Sequence, residues 1–497
     1  MNYDITDVEK KISYWTLPLF MLISFLFLLV FSGTTSPLYA YSGVDSSIFV
    51  LMGKMFLEGK TPYVDFFDHK GPILIFIEAL GLAPFSGEKT GVFVLQVVNL
   101  TIIQTLIFYI ARTFLSTINS ISVILLSLLV FSLSIDGGNL TEEYSLPFTL
   151  ICLLFAIQYY YSDKISWTKP IVIGFCIACL FWLRINNMGV ICACVLYIFI
   201  ISIKKKDWVV LKRLVFGALI GFLIITVPLI LYFLYKNALY EMIYATFIFN
   251  LKYINYGEEM YVALLSPVLY VLKYWTVFIV LIAGTMLYCY HRKDRSLSLL
   301  SLLLIFFGLV GTRFGLYVTH YMTLNIPLLA LGLSLLLYTC GNLLPKRIIT
   351  LSVLVMSCFL LSGYTIWKYN NSYYREGLDD SVFISAAHDV VSQIPDAEKD
   401  SLYPYNVQSK FFLYTGVDVY YRYFIFQEWH GVHDSQIYDS VNEMMRTHPP
   451  LWIILTTDNT TEAGYAPKNK LFYNVLKEEY NPYYRNEQFI LYRKIDT

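Results

Sequence analysis

The chain has 497 residues, of which 57% are hydrophobic and only 14% charged, against about 25% charged in a soluble domain. Its 36 basic and 36 acidic residues cancel, so the basic excess that a nucleic-acid partner needs is missing. Composition therefore excludes a soluble globule and a nucleic-acid binder, and leaves a polytopic α-helical membrane protein.

Met1–Lys11 carries mixed charges and no small-residue cleavage site follows the first apolar run, which reads as a retained span. Apolar runs of about 17 to 25 residues cross a bilayer as helices. They fall near 14–32, 90–114, 118–135, 144–161, 168–183, 187–203, 214–235, 263–290, 296–312, 321–340 and 348–368, about eleven transmembrane helices in all. Ile73–Phe85 is apolar but too short to span, and is expected as a re-entrant or surface helix. The cysteines lie in or at the ends of apolar runs and read as small packing residues, neither disulfides nor metal ligands.

Cations in short loops set the orientation. With a cytoplasmic N-terminus, Arg112, Lys164, Lys169, Lys204–Lys206, Lys212, Arg213, His291–Arg295 and Lys346–Arg347 all fall inside. An odd number of spans then puts loops 33–88, 136–143, 236–262 and 313–320 outside, together with the C-terminal segment 372–497. Residues 1–371 form the transmembrane catalytic domain in this reading. The tail changes composition. Short β-type runs at Leu451–Thr456 and Gln488–Tyr492 enclose helix-compatible stretches at Asp380–Gln393, Asp434–Arg446 and Lys468–Glu479, which suggests a small extracytoplasmic α/β domain.

The outer loops hold the candidate chemistry. Ser46–Glu58 places apolar residues at 48, 49, 51, 52, 55 and 56 on one helical face, with Ser46, Ser47, Gly53, Lys54 and Glu58 opposite. Gly59 stops this helix, and Asp45 stands at its start either as N-cap or as a catalytic base. Asp68, His69 and Lys70 follow directly before Pro72; such a run is either solvated or, with the first amides of the next helix, a phosphate site. Glu142 and Glu143 open a span that Thr141 could cap, so they either complement the helix end or act on substrate. Arg184 and Arg313 end apolar spans on the outer side. They serve either as snorkelling anchors or, with Lys70 and His320, as cations for a polyprenyl phosphate.

These motifs, in this order, resemble the GT-C glycosyltransferases, closest to the protein-mannosyltransferase and aminoarabinose-transferase branch. The resemblance rests on the first-loop Asp45, Gly59-Lys60-Thr61-Pro62-Tyr63, Lys70-Gly71-Pro72, Asn139-Leu140-Thr141-Glu142, and Arg313 with His320-Tyr321 and Pro327. It implies transfer of a sugar from a polyprenyl-phosphate donor to an extracytoplasmic acceptor at the cytoplasmic membrane, with inversion and with Asp45 as base. It leaves open whether a divalent cation takes part. One departure stands out: many relatives carry two adjacent acids in the first loop, whereas Ser46 and Ser47 follow Asp45, and Glu142 or Glu143 is left to supply a second carboxylate.

The rival classes are a flippase or transporter of lipid-linked glycan and a polymerase or ligase. Transporters commonly show inverted repeats and little mass outside the bilayer, which this chain does not match. The tail is expected to select the acceptor through aromatics such as Tyr403, Tyr405 and Trp429, with Trp452 in the strand core, while the loops ahead of it perform the chemistry.

Overall fold

A computed structural model describes residues 15–41, 43–162, 164–255, 275–293, 295–311, 319–343, 346–371, 379–457 and 468–495. In chain order the first helices are α1 (Thr16–Phe31), α2 (Val44–Leu57), α3 (Pro72–Leu82), α4 (Lys89–Arg112), α5 (Thr117–Ser134), α6 (Thr141–Ser162), α7 (Thr168–Leu183), α8 (Gly189–Lys204) and α9 (Trp208–Tyr235). Four more apolar helices follow at Thr276–Arg292, Ser296–Gly311, Ile326–Leu343 and Lys346–Asn370. Among the described residues, 7 helices are long and apolar enough to cross a membrane. The other expected spans are shorter apolar helices: α1, α7, Thr276–Arg292 and Ser296–Gly311. The first part of the expected span 263–290 lies outside the described residues. The protein is thus a multi-pass helical membrane protein with a small C-terminal sheet domain. The short apolar stretch becomes α3, whose N1 proline needs no amide partner and sets the helical backbone angle in advance.

The chain divides into two compact units, and both are discontinuous in sequence. The first comprises Met1–Ser32, Phe93–Ile230 and Tyr261–Tyr374. Without a hydrophobic force between helices in lipid, its helices meet where small residues let backbones approach. Gly217 and Gly221 sit one turn apart on α9; a Cβ on Gly221 would meet the Ile171 carbonyl oxygen at 1.9 Å, and one on Gly174 of α7 the Ala218 oxygen at 1.9 Å. Gly284 and Gly332 meet in the same way. Inside the bundle, Gln104 donates to Ser24 Oγ at 2.6 Å, and Thr101 donates to the same oxygen at 3.1 Å.

The second unit comprises Gly33–Val92, Leu231–Met260 and Arg375–Thr497, so the first outer loop belongs with the tail. The tail forms a sheet in the order β1-β2-β4-β3, from β1 (Leu402–Pro404), β2 (Trp452–Thr456), β3 (Tyr480–Arg485) and β4 (Phe489–Lys494). β1 and β2 run parallel, and the other neighbours are antiparallel. Helix Ser381–Ser392 packs Ala387 and Val390 with Leu402, Phe411, Trp452, Ile454, Phe489 and Leu491 in the core beneath. Tyr403 and Tyr405 are fully buried, which removes them as sugar platforms; Trp452 is core, as its strand position suggests.

Two details of α2 differ from the sequence reading. Gly43, not Asp45, is the N-cap, because its extended backbone is fixed by an N–H donated to Thr34 Oγ1 at 2.9 Å. Ser46, Ser47 and Gly53 are buried rather than on an open polar face, since α3 covers that side: a Cβ on Gly53 would lie 2.6 Å from Glu78 Cβ. Gly59 ends the helix at φ +91°, where a side chain would be strained.

Candidate active site

The loop from α2 to α3 is braced at both ends of its turn. Asp65 accepts from the Thr61 amide at 2.6 Å, and Tyr63 donates to the Lys70 carbonyl at 2.8 Å. Asp65 is therefore spent on the turn, and the loop presents its next residues in a fixed order. Asp68 is buried; its Oδ1 accepts from the Lys70 amide at 2.8 Å, and its Oδ2 lies 3.6 Å from Lys70 Nζ. The ammonium also sits 5.2 Å from the centre of the Phe49 ring on α2. Burial pushes the Asp68 carboxyl up, Lys70 pulls it back, and the charge of nearby Asp45 raises it again. That last effect places Asp45 within electrostatic reach of the pair. Asp45 occupies the first turn of α2 and is half-buried. No side chain caps α3, whose first residue, Pro72, has no amide to satisfy.

The tail builds a wall onto this loop. Phe67 donates its amide to the Arg422 carbonyl at 2.9 Å, and its ring meets Tyr423 at 5.1 Å and His430 at 5.2 Å. His69 lies 5.5 Å from Trp429, and its carbonyl accepts from Asn250 at 2.8 Å. Phe249 closes the cluster against Trp429 and His430. Lys252 reaches Asp434 at 2.5 Å, and Tyr244 also donates to that carboxylate, which ties the segment before Asn255 to the tail. His430 is buried, with Nδ1 3.2 Å from the Ile425 carbonyl; burial first, then the Lys70 charge, hold its imidazole down at about 3. The tail, expected to select the acceptor, also supports the loop expected to carry the chemistry.

His430 and Trp429 were not legible as loop partners. The string Gln427-Glu428-Trp429-His430-Gly431-Val432-His433 does carry a signal: two histidines one turn apart beside a tryptophan, in a stretch too polar for the membrane.

The remaining candidates lie in the first unit. Arg184 pairs with Glu142 at 2.6 Å and donates to the Tyr321 hydroxyl at 2.6 Å. The Thr141 hydroxyl bonds to Glu142 at 3.0 Å instead of capping the helix. Glu143 accepts from Gln96 at 3.0 Å and from the Asn139 amide at 2.9 Å, and both of these carboxylates are buried. His320 lies 3.1 Å from Asp136. The structure thus joins Asp68 with His69 and Lys70, with the Asp45 charge felt at Asp68, and separately Glu142 with Arg184 and Asp136 with His320. Arg313 lies outside the described residues. Among the described residues no three His, Cys, Asp or Glu side chains converge as a metal site.

No protein-family model matches the sequence, and neither does any curated protein. Solved structures do match. The chain is similar to the aminoarabinose transferase ArnT from Cupriavidus metallidurans bound to undecaprenyl phosphate, with a TM-score of 0.59 at 12% identity over 97% of this chain and 99% of that one. The apo form of ArnT gives 0.57 at 13% identity over 96% and 98%. An oligosaccharyltransferase from Archaeoglobus fulgidus aligns at 0.45 over 82% of this chain and 57% of that one, too loosely to carry an argument. End-to-end coverage at such low identity establishes architecture, and in its architecture the chain has the fold seen in ArnT.

Proposed function

We propose that the chain is a membrane glycosyltransferase that moves a sugar from a polyprenyl-phosphate-linked donor to an acceptor outside the cytoplasmic membrane. The observation that carries this reading is the half-buried Asp45, whose charge raises the buried Asp68 carboxyl that pairs with Lys70. The matching fold belongs to a protein that binds undecaprenyl phosphate, which supports the same class of lipid here.

In this reaction Asp45 takes the proton of the acceptor hydroxyl as that oxygen bonds to the anomeric carbon. The bond from that carbon to the phosphate oxygen breaks, its electron pair leaves with the polyprenyl phosphate, and the configuration inverts. Lys70 and the first amides of α3 stabilise the charge that develops on the leaving phosphate. His69 and Asp68 fix the loop. Arg184, already paired with Glu142, Arg313 and His320 are further cations for the donor, and Glu143 holds the loop before α6.

The test is Asp45→Asn in the purified chain, measured with a lipid-linked sugar donor. Loss of a base costs about a hundredfold to ten-thousandfold in rate, while loss of a first-turn carboxylate costs about 0.3–1 kcal/mol in stability. The proposal expects the rate to collapse with melting nearly unchanged. A stable Asp45→Asn protein of full activity would return Asp45 to the helix end alone.

A further inference from the structure

A tyrosine-walled cavity of 510 Å³ opens on the tail domain, within the range of about 300–1,000 Å³ typical of small-molecule sites. Tyr420 and Tyr421 form its wall, Met444 its floor, and Glu443, Thr447 and His448 its rim. Met444 is buried, the tyrosines are half-buried, and the rim residues are exposed.

Both tyrosine hydroxyls are engaged. Tyr420 donates to the His448 carbonyl at 2.7 Å, and Tyr421 bonds Ser440 Oγ at 2.6 Å. Behind them the buried Tyr403 ring lies 6.1 Å from Tyr420 and 6.4 Å from Tyr421. The rings are therefore fixed before anything binds, so a ligand loses little affinity to ordering them.

Their chemistry is selective. A flat aromatic face suits the C–H face of a sugar ring; at the rim Arg446 holds the Glu443 carboxylate and Thr447 bonds His448 Nδ1 at 2.9 Å, which leaves the remaining carboxylate lone pairs and the second ring nitrogen for sugar hydroxyls. Among the described residues lining the cavity there is no Lys or Arg, and Arg446 next to it is neutralised by Glu443, which disfavours a phosphate ligand.

The same backbone braces the candidate active site. Arg422, between the wall and Tyr423, accepts the Phe67 amide at 2.9 Å, and Tyr423 stacks near Phe67, directly before Asp68. One short segment is thus both the cavity wall and the support of the loop carrying Lys70. We propose that this cavity is a saccharide subsite that seats a neutral sugar ring of the acceptor. The inference rests on the glycosyl-transfer reading above and names the chemical class of its acceptor.

The test uses the full chain in lipid nanodiscs, free of sugar detergents, probed by saturation-transfer NMR with maltotriose, cellotriose, mannotriose and chitotriose. At least one trisaccharide receives saturation. Thr447→Trp, which fills the cavity from an exposed rim position, abolishes the signal while the protein melts at the wild-type temperature. Glu443→Gln weakens it, and Asp45→Asn leaves it intact. Silence from all four sugars, or a signal that survives Thr447→Trp, overturns the subsite. Because binding is read without turnover, failure here leaves the donor chemistry standing, and a dead donor reaction with intact sugar binding points instead to the reading of Asp45.

Discussion

Lys70 is a buried cation held by Asp68 and the Phe49 ring, and the proposed function gives its charge a second use at the leaving phosphate. Lys70→Met is therefore expected to lower donor turnover by about a hundredfold to a thousandfold, the usual cost of losing one transition-state charge partner. Lys70→Arg should restore part of that loss, since it keeps the charge but changes its shape; steady-state kinetics with a lipid-linked donor decide it, and a Lys70→Met protein of normal rate would make the pair with Asp68 purely structural. His430 makes a pH prediction. Its folded value of about 3 lies below the ordinary 6.5, so the unfolded state binds the proton first. Stability is fully present above about 6.5 and falls as pH drops from there toward 3. Melting of the wild type should decline over pH 6.5 to 5 more steeply than that of His430→Gln; equal slopes would remove the buried imidazole from the account. At this scale Asp45, Asp68, His69 and Lys70 were legible because they are neighbours in one polar loop between apolar runs. His430 and Trp429 were not, because only tertiary contact brings residues some 360 positions away onto Phe67 and His69.

Among the elements, the spans were the most legible, since a membrane helix must satisfy its backbone within one continuous apolar segment. α2 was harder. Its spacing suggested one polar face, but Ser46, Ser47 and Gly53 are buried, Gly53 against α3, and no periodicity shows what will pack on a small residue. The close crossing of α7 and α9 gives a direct test. A side chain at Gly221 meets backbone at 1.9 Å, not a movable side-chain end. Gly221→Leu is expected to destabilise the chain by about 1–3 kcal/mol or more, seen as a lower melting temperature in nanodiscs, whereas Gly363→Leu, which meets nothing within 4 Å, should leave it unchanged. Equal effects would mean that α7 and α9 do not cross at these glycines.

At the scale of the whole molecule, sequence order and physical grouping part company. Gly33–Val92, Leu231–Met260 and Arg375–Thr497 form one compact unit, so a chain cut after Asn371 leaves the first loop without its support. The truncated protein loses the amide bond from Phe67 to Arg422 and the Trp429 contact of His69, and should lose hydrolysis as well as transfer even when correctly inserted; retained hydrolysis would restore the tail to acceptor selection alone. The small sheet domain itself was legible from alternating strand and helix patterns, but its attachment to the first loop was not, because chain order carries no record of which distant segments meet. The central claim is cleavage of a lipid-linked sugar, and the most direct measurement supplies the purified chain in nanodiscs with radiolabelled polyprenyl-phosphate hexose, N-acetylhexosamine and pentose donors. The account predicts release of polyprenyl phosphate from at least one donor, falling about a hundredfold or more in Asp45→Asn. Passage of the intact lipid-linked sugar across the bilayer, with no cleavage of any of the three, would contradict it.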